Sequence, residues 1–180
     1  MNDRQLAGVI WLPVAAAVSP VHAADYLSAA EAADLMFPDA QAQTLQMLAL
    51  SKAERDAIRA RSGLRQRNDM QQVWRAERDG ELLGWTLIDD VIGKHEYITY
   101  AVGVTPDGHV VGVEILSYRE THGYEVRDAE WRRHFVGKTL DDPFRLDRDI
   151  PNIGGATLSC RNVTDGVKRM LVLADLLLAK

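Results

Sequence analysis

The fold of this chain is decided by the stretch Ile98–Val104 (ITYAVGV), Thr105–Gly108 (TPDG) and Val110–Tyr118 (VVGVEILSY). Two apolar, β-branched runs flank a Pro-Asp-Gly turn, which is the pattern of an antiparallel hairpin. In the second run, Val111, Val113 and Ile115 alternate with Gly112, Glu114 and Leu116, so one side of this strand should be buried.

A second hairpin is predicted immediately upstream. Val73–Glu77 and Leu82–Ile88 flank Asp79-Gly80, a dipeptide that favours tight two-residue turns. The segment Asp89–Glu96 is then the loop that joins the two hairpins. Residues 71–117 are therefore expected to form an antiparallel sheet.

Two short helices are predicted before the sheet. Ser28 is followed by Glu31, and Ser51 by Glu54, which is the spacing of a capping box. The second helix should run to about Arg61 and end at Gly63. Ala42–Leu50 fits both a helix and a strand, and we predict a strand.

After the sheet, Arg127–Phe135 is predicted as a short helix and Phe144–Ile150 as a final strand. A long C-terminal helix follows, with Ser159 or Cys160 as its cap. Its apolar side is formed by Val163, Val167, Met170, Leu171, Ala174, Leu177 and Leu178. Helices first, hairpins in the middle and a long helix last indicate an α+β fold.

The composition fits one domain of about this length. The chain has 180 residues, is 47% hydrophobic and carries a net charge of −5, with no basic cluster that would indicate nucleic acid. Its single cysteine, Cys160, excludes an internal disulfide; we interpret it as a small core residue, the alternative being a reactive thiol. No histidine–carboxylate spacing is typical of a metal site.

The N-terminal residues have the pattern of an export signal. Arg4 precedes an apolar run from Leu6 to Val18, and small residues follow at Val21–Ala23. The run is shorter than the roughly 20 residues that span a bilayer. We expect a signal peptide over 1–23, cleaved after Ala23 or Ala24, and a mature domain over 24–180 in the periplasm.

The turn before the last helix is the strongest candidate for a functional site. Gly154-Gly155-Ala156-Thr157-Leu158-Ser159 brings flexible backbone and a threonine hydroxyl to a helix N-terminus. Free amides and the helix dipole favour a phosphate at such a position. The alternative is an ordinary turn that uses glycine for its geometry and Ser or Thr for capping.

This segment, with Arg161-Asn162-Val163-Thr164-Asp165-Gly166-Val167 after it, resembles the FMN-attachment motif of the FMN-binding domain family. The family includes the G subunit of the Rnf electron-transport complex and the C subunit of the sodium-pumping NADH:quinone reductase. The resemblance implies FMN esterified through its phosphate to Thr157 by an FMN transferase that uses FAD. Gly154 stands where relatives usually have Ser or Asp.

A second segment is similar to the family's ring-contacting loop. Glu120, Thr121 and Gly123 match it, while His122 stands where many members have proline. Tyr124, and also Trp131 or Phe135, would supply an aromatic surface for the flavin. Histidine chemistry raises a proton-donating role for His122. Lys138 ends a segment from Trp131 that also resembles the family, which raises a ring or phosphate contact for it; exposed, solvated side chains are the alternative for both.

These observations predict an exported electron-transfer flavoprotein, most similar to the small free-standing members of the family. The predicted partners are an FMN transferase and a membrane or periplasmic redox protein. An FMN-dependent reductase of a small substrate and a non-flavin periplasmic binding module are the alternatives. We assign no catalytic residue. The predicted cofactor-binding residues are Gly154, Gly155, Ala156, Thr157, Ser159, Glu120, Thr121, Gly123 and Tyr124.

Overall fold

A computed structural model describes residues 24–120 and 122–179. The predicted signal peptide and Thr121 lie outside the described residues. The described residues form a six-stranded antiparallel sheet in the order β1-β6-β5-β4-β3-β2. Its strands are β1 (Ala24–Asp25), β2 (Ala42–Ala49), β3 (Met70–Arg78), β4 (Glu81–Ile92), β5 (Tyr97–Val104) and β6 (Val110–Tyr118).

Both predicted hairpins are confirmed. In the β3–β4 turn, Asp79 and Gly80 have φ values of 53° and 80°, the left-handed conformations that a tight two-residue hairpin turn needs. The loop predicted over 89–96 is wrong in its first half, because β4 continues to Ile92. Asp89 and Asp90 suggested a loop, but the hydroxyls of Tyr100 and Thr99 on β5 donate to their carboxylates, each at 2.6 Å.

The two N-terminal helices are also confirmed. Helix α1 (Ala29–Met36) and helix α2 (Lys52–Ser62) each begin with a complete capping box, and α2 ends at Gly63 in the left-handed conformation. The strand predicted over 42–50 is β2. The helix predicted over 127–135 is instead three short pieces: a 3₁₀ turn (Tyr124–Arg127), α3 (Ala129–Arg132) and a second 3₁₀ turn (Arg133–Phe135).

The strand predicted over Phe144–Ile150 is wrong. This segment is a compact loop with a single isolated bridge between Leu146 and Ile150. The Asp149 carboxylate accepts the backbone N–H groups of Phe144 and Arg145, and it folds the segment back on itself. Phe144 and Asp147 take positive φ, which an extended strand excludes.

Helix α4 (Thr157–Leu177) starts earlier than predicted. Its N-cap is Ala156, not Ser159 or Cys160, and no side chain caps it. The prediction followed the apolar spacing, which marks the buried side of a helix and is silent about a first turn that faces a cavity. Thr157 is consequently the first residue of the helix rather than part of the turn before it.

The sheet is covered differently on its two faces. Helix α4 packs against one face in the main core, where Val73, Leu87 and Val102 meet Val167 and Met170. Helix α1 covers part of the other face. There Met36 lies so close to Gly103 that a Cβ at that glycine would be 2.9 Å from the Met36 sulfur. The fold is therefore α+β, as predicted, and its long helix begins at one end of the sheet.

Candidate functional site

A cavity of about 600 Å³ opens at the start of α4. Three segments surround it: the Gly-Gly turn with the first turn of α4, the chain after β6, and the tip of the β4–β5 hairpin. Its lining residues are Lys94, His95, Glu120, His122, Gly123, Tyr124, Glu125, Gly154, Gly155, Ala156, Thr157, Leu158 and Ser159. Of the predicted site residues, all those that the structure describes line this one cavity.

The helix start supplies the groups that suit a phosphate. Thr157 is half-buried, and within the described residues no hydrogen-bond partner is found for its hydroxyl. The first helical hydrogen bond of α4 runs from the Cys160 N–H to the Ala156 carbonyl at 2.9 Å. The amides of Thr157, Leu158 and Ser159 precede that bond and carry the positive end of the helix dipole.

Gly155 fixes the approach to this helix start. Its φ of +84° lies in the left-handed region, where an L side chain is strained. The Ala156 N–H donates to the Ile153 carbonyl at 3.0 Å, which closes the turn around both glycines. Gly155 is thus required by backbone conformation and not by crowding, because nothing lies within 4 Å of the place of its Cβ.

Tyr118 connects the loop after β6 to the helix start. Its buried hydroxyl donates to the His122 carbonyl at 2.6 Å and lies 3.2 Å from the Ser159 hydroxyl. Burial raises the pKa of the Tyr118 phenol, with a smaller opposing effect from the Ser159 hydrogen bond, so the phenol stays protonated and able to donate. Ser159 therefore connects the helix start to the loop through Tyr118, and its predicted contact with the cofactor stays a prediction.

Gly123 lets the loop lie directly against the helix start. It has a φ of +87°, and a Cβ there would be 2.8 Å from the Tyr118 oxygen and 3.1 Å from the Ala156 Cβ. A larger residue would force the loop and the helix apart. The sequence placed Gly123 and the Gly-Ala-Thr segment in the same site, and in the structure the two are in close contact.

Glu120 holds the β4–β5 tip rather than pointing freely into the cavity. Its Oε1 accepts the backbone N–H groups of His95 and of Glu96, the latter at 2.9 Å. Burial opposes the charged form, but these backbone hydrogen bonds outweigh it and lower the pKa of Glu120. Gly93 lies close beside it, since a Cβ there would be 2.6 Å from Oε1 and would require the Glu120 side chain to shift. Glu120 thus links the cavity lining to the β4–β5 tip, and its predicted contact with the flavin stays a prediction.

The mouth of the cavity has an aromatic and apolar rim. Tyr124 is 60% exposed, and Leu158, which also lines the cavity, is exposed as well. An exposed tyrosine beside a cavity offers a surface on which a planar ring can stack. His122 is exposed at the same rim.

The other side chains that the sequence raised lie away from the cavity. Trp131 and Phe135 are buried against each other with ring centroids 5.1 Å apart, and the Trp131 indole N–H donates to the Pro151 carbonyl at 2.7 Å. Lys138 pairs with Asp149 at 2.9 Å instead of facing a phosphate. Cys160 is buried, and burial raises the pKa of its thiol, so it is a core residue as interpreted and not a reactive thiolate.

Sequence reasoning missed three residues of the cavity: Lys94, His95 and Glu125. The order of the strands could have predicted that Lys94 and His95 belong to this cavity. Ile98 at the start of β5 pairs with Tyr118 at the end of β6, so the β4–β5 tip must lie beside the loop that follows β6. Lys94 adds a cationic side chain to the lining of the cavity.

The cavity fits a flavin mononucleotide in three respects. Its volume lies within the range of about 300–1,000 Å³ that small-molecule sites occupy. The helix start offers uncapped amides for a phosphate. The buried Oε2 of Glu125 has no hydrogen-bond partner within the described residues, so it is an acceptor for an N–H group such as that of a flavin ring.

Neither a metal-binding cluster nor a membrane-spanning helix is found in the described residues. Across 24–120 and 122–179, no three His, Cys, Asp or Glu side chains come together as metal ligands. In that same part of the chain, no helix has the length and apolar character needed to cross a membrane.

Comparison with known proteins identifies the domain. Residues 93–172 match the FMN-binding domain family, and this range contains every residue that lines the cavity. Two relatives are G subunits of ion-translocating oxidoreductase complexes. The one from Cereibacter sphaeroides is 30% identical over 58% of this chain and 52% of its own length. The one from Stutzerimonas stutzeri is 28% identical over 56% and 49%.

A solved structure has the same fold. The NqrC protein of Shewanella oneidensis superposes with a TM-score of 0.55 over 78% of this chain and 86% of its own, at 19% sequence identity. The chain spans about half the length of the two curated relatives described above. The family match and the cavity fall in the same part of the chain, so it is residues 93–172 that belong to the FMN-binding domain family.

Proposed function

We propose that this protein is an exported electron-transfer flavoprotein whose FMN is joined to the Thr157 hydroxyl through a phosphoester. The observation that carries the proposal is the position of Thr157. It is the first residue of a helix with no side-chain cap, and its half-buried side chain lines the cavity with the two flanking loops.

Different residues of the cavity bind the phosphate and the ring system of the cofactor. The amides that follow Ala156 and the Lys94 ammonium bind the phosphate, and Gly155 gives them access to it. Tyr124 stacks on the ring system, and Glu125 accepts a hydrogen bond from it. When bound, FMN supplies the exchange of one or two electrons. The protein's part is to orient it, to shield one side of it from water and to prevent its loss.

The relatives support the electron-transfer role and the kind of partner. The G subunit from Acetobacterium woodii, 23% identical over 62% of this chain, belongs to a complex named Na⁺-translocating ferredoxin:NAD⁺ oxidoreductase. We propose a membrane or periplasmic redox protein as the electron partner of this chain. An FMN transferase attaches the flavin, forming the Thr157 Oγ1–phosphorus bond from FAD and releasing AMP. The apolar run Leu6–Val18 supports export to the periplasm.

Covalent labelling tests the attachment site. The protein co-expressed with an FMN transferase should gain the mass of one FMN minus one water and remain fluorescent through denaturing electrophoresis. Thr157→Ala should fold and lose all covalent flavin, while Thr157→Ser should keep part of it. Thr164→Ala is the matched control, because the Thr164 hydroxyl is already donated to the Cys160 carbonyl at 2.6 Å and the residue is buried.

The outcomes separate the attachment site from the wider proposal. Covalent flavin on Thr157→Ala would show that another hydroxyl is the acceptor. Wild-type protein that never acquires flavin beside an active transferase would refute the flavoprotein function and favour a non-flavin module. Turnover of a small soluble substrate without any protein partner would favour the reductase alternative.

A further inference from the structure

The two outer edges of the sheet differ in how their backbone groups are satisfied. Along β6, most of the backbone N–H and C=O groups that point away from the sheet are hydrogen-bonded. Strand β1 pairs with Ser117 and Tyr118, the Tyr26 N–H donates to Leu116, the Arg132 side chain donates to Val113, and Gly137 and Lys138 bond with Val110. This edge is closed to further strands.

The β2 edge has none of these partners. Beyond its pairing with β3, no backbone hydrogen bond of Ala42–Ala49 is found within the described residues. The strand is eight residues long, and its sequence AQTLQMLA contains no charge, no proline and no glycine. Its register with β3 runs without a bulge from Ala42 to Ala49. Proteins normally protect a free sheet edge with charged side chains, proline or a β-bulge. A long edge strand without them is suited to pairing with another strand.

Apolar side chains accompany this open edge. Leu45 is 48% exposed and Met47 is 52% exposed, and they lie on the same face of β2 because they are two residues apart. Met70 of β3, 44% exposed, pairs with Ala49 on that face and extends the patch inward. We call Leu45, Met47 and Met70 the edge patch.

We propose that the β2 edge binds the β2 edge of a second copy of this chain, so that two sheets join into one across a two-fold axis. An antiparallel pair of identical strands keeps each residue on its own face only when the axis passes through a residue. An axis at Gln46 places Leu45 of each copy opposite Met47 of the other, so the apolar contact is made twice.

The sequence of β2 favours a second copy over a strand of another protein. In this register Gln46 opposes its own copy, and Leu45 and Met47 each lie diagonal to theirs, so a single charge at any of these three central positions would come near a like charge. An uncharged strand avoids this repulsion, whereas recognition of a foreign strand usually employs charge to select its partner. The inference does not rest on flavin binding, because it concerns the sheet edge alone.

Two double variants with the same number of substitutions test this register. In L45K/M47K, the axis at Gln46 places lysine opposite lysine on both sides. In L45K/M47E, the same axis places lysine opposite glutamate on both sides. Leu35→Lys on α1 is the matched control, since Leu35 is equally an exposed apolar residue and lies off the β2 edge. Light scattering after size-exclusion chromatography of the full chain gives the mass, and circular dichroism verifies folding.

We expect the wild-type chain and the Leu35→Lys variant to elute at twice the monomer mass. L45K/M47K should raise the dimer dissociation constant by about tenfold or more through like charges set opposite each other, and L45K/M47E should recover the dimer. A wild-type monomer at concentrations on the order of 100 μM would overturn the proposal, because a specific dimer should form there. So would a folded L45K/M47K variant that dimerises as wild type does, or an L45K/M47E variant as weak as L45K/M47K.

Discussion

Helices α2 and α4 differ in how the free backbone N–H groups of their first turns are capped. At α2, Ser51 has an extended backbone (ψ 162°), its hydroxyl accepts the Glu54 N–H at 3.2 Å, and Glu54 accepts the Ser51 N–H at 2.8 Å. At α4, Ala156 has ψ 12° and a side chain with no acceptor. The free amides of α2 are satisfied by its own residues, whereas those of α4 have no side-chain cap within the described residues. The missing cap of α4 therefore distinguishes the helix start at the cavity from those of α1 and α2, which are both fully capped.

The largest effect short of removing Thr157 is expected at Gly155. Gly155→Ala forces alanine into a left-handed conformation at a cost of about 1–2 kcal/mol, which corresponds to roughly tenfold in the population of the native turn. The rate of covalent FMN attachment by the transferase should fall by a similar factor. Mass spectrometry of timed labelling reactions gives this rate.

Gly154→Ala is the matched control for that change. Both glycines are exposed, and neither has an atom within 4 Å of its Cβ position, but only Gly155 has a φ in the strained region. Gly154→Ala should therefore label at close to the wild-type rate. Equal rates for the two variants would mean that the turn conformation does not govern access to Thr157.

A smaller effect is expected when the loop is released from the helix start. Tyr118→Phe removes the hydrogen bond to His122 and the contact with Ser159, at a cost of about 1 kcal/mol. Labelling should slow by roughly fivefold, in line with that energy. Urea unfolding and timed labelling, measured on the same samples, separate the loss of stability from the loss of the site.

Tyr100→Phe distinguishes a local effect from general destabilisation. The Tyr100 hydroxyl donates to the buried Asp89, which also pairs with Arg169, and these residues lie outside the cavity. This variant should lose at least as much stability as Tyr118→Phe while labelling at the wild-type rate. If both variants label slowly to the same degree, Tyr118 has no special role.

The smallest functional effect belongs to the capped helix. Ser51→Ala leaves the α2 amides without their acceptor and should lower the free energy of unfolding by about 1 kcal/mol. Covalent labelling should not change, because this helix start is closed by its own side chains and does not line the cavity. Slower labelling of Ser51→Ala would remove the contrast between the two helix starts.

Local chemistry explains which parts of this structure the sequence could predict. Ser28 and Ser51 with their glutamates, Gly63, and Asp79-Gly80 each settle a boundary within a few residues of themselves, and all are confirmed. The segment 144–150 was wrong for the complementary reason. Its apolar alternation resembles a strand, but Asp149 bonds locally to two backbone amides and no neighbouring strand competes for them.

By itself, the sequence determined that Thr157 lies near a helix start behind two glycines and that an antiparallel sheet of hairpins precedes it. Only the tertiary structure decided that Thr157 is the first residue of α4, that Glu120 is engaged with the β4–β5 tip, and that Lys94 and Glu125 share its cavity. Spacing along the chain predicts local features such as helix caps and turns, which depend on residues a few positions apart. Which distant groups meet is set by strand order and by close packing, such as that of Gly123 against Ala156, and these emerge only when the whole sheet has formed.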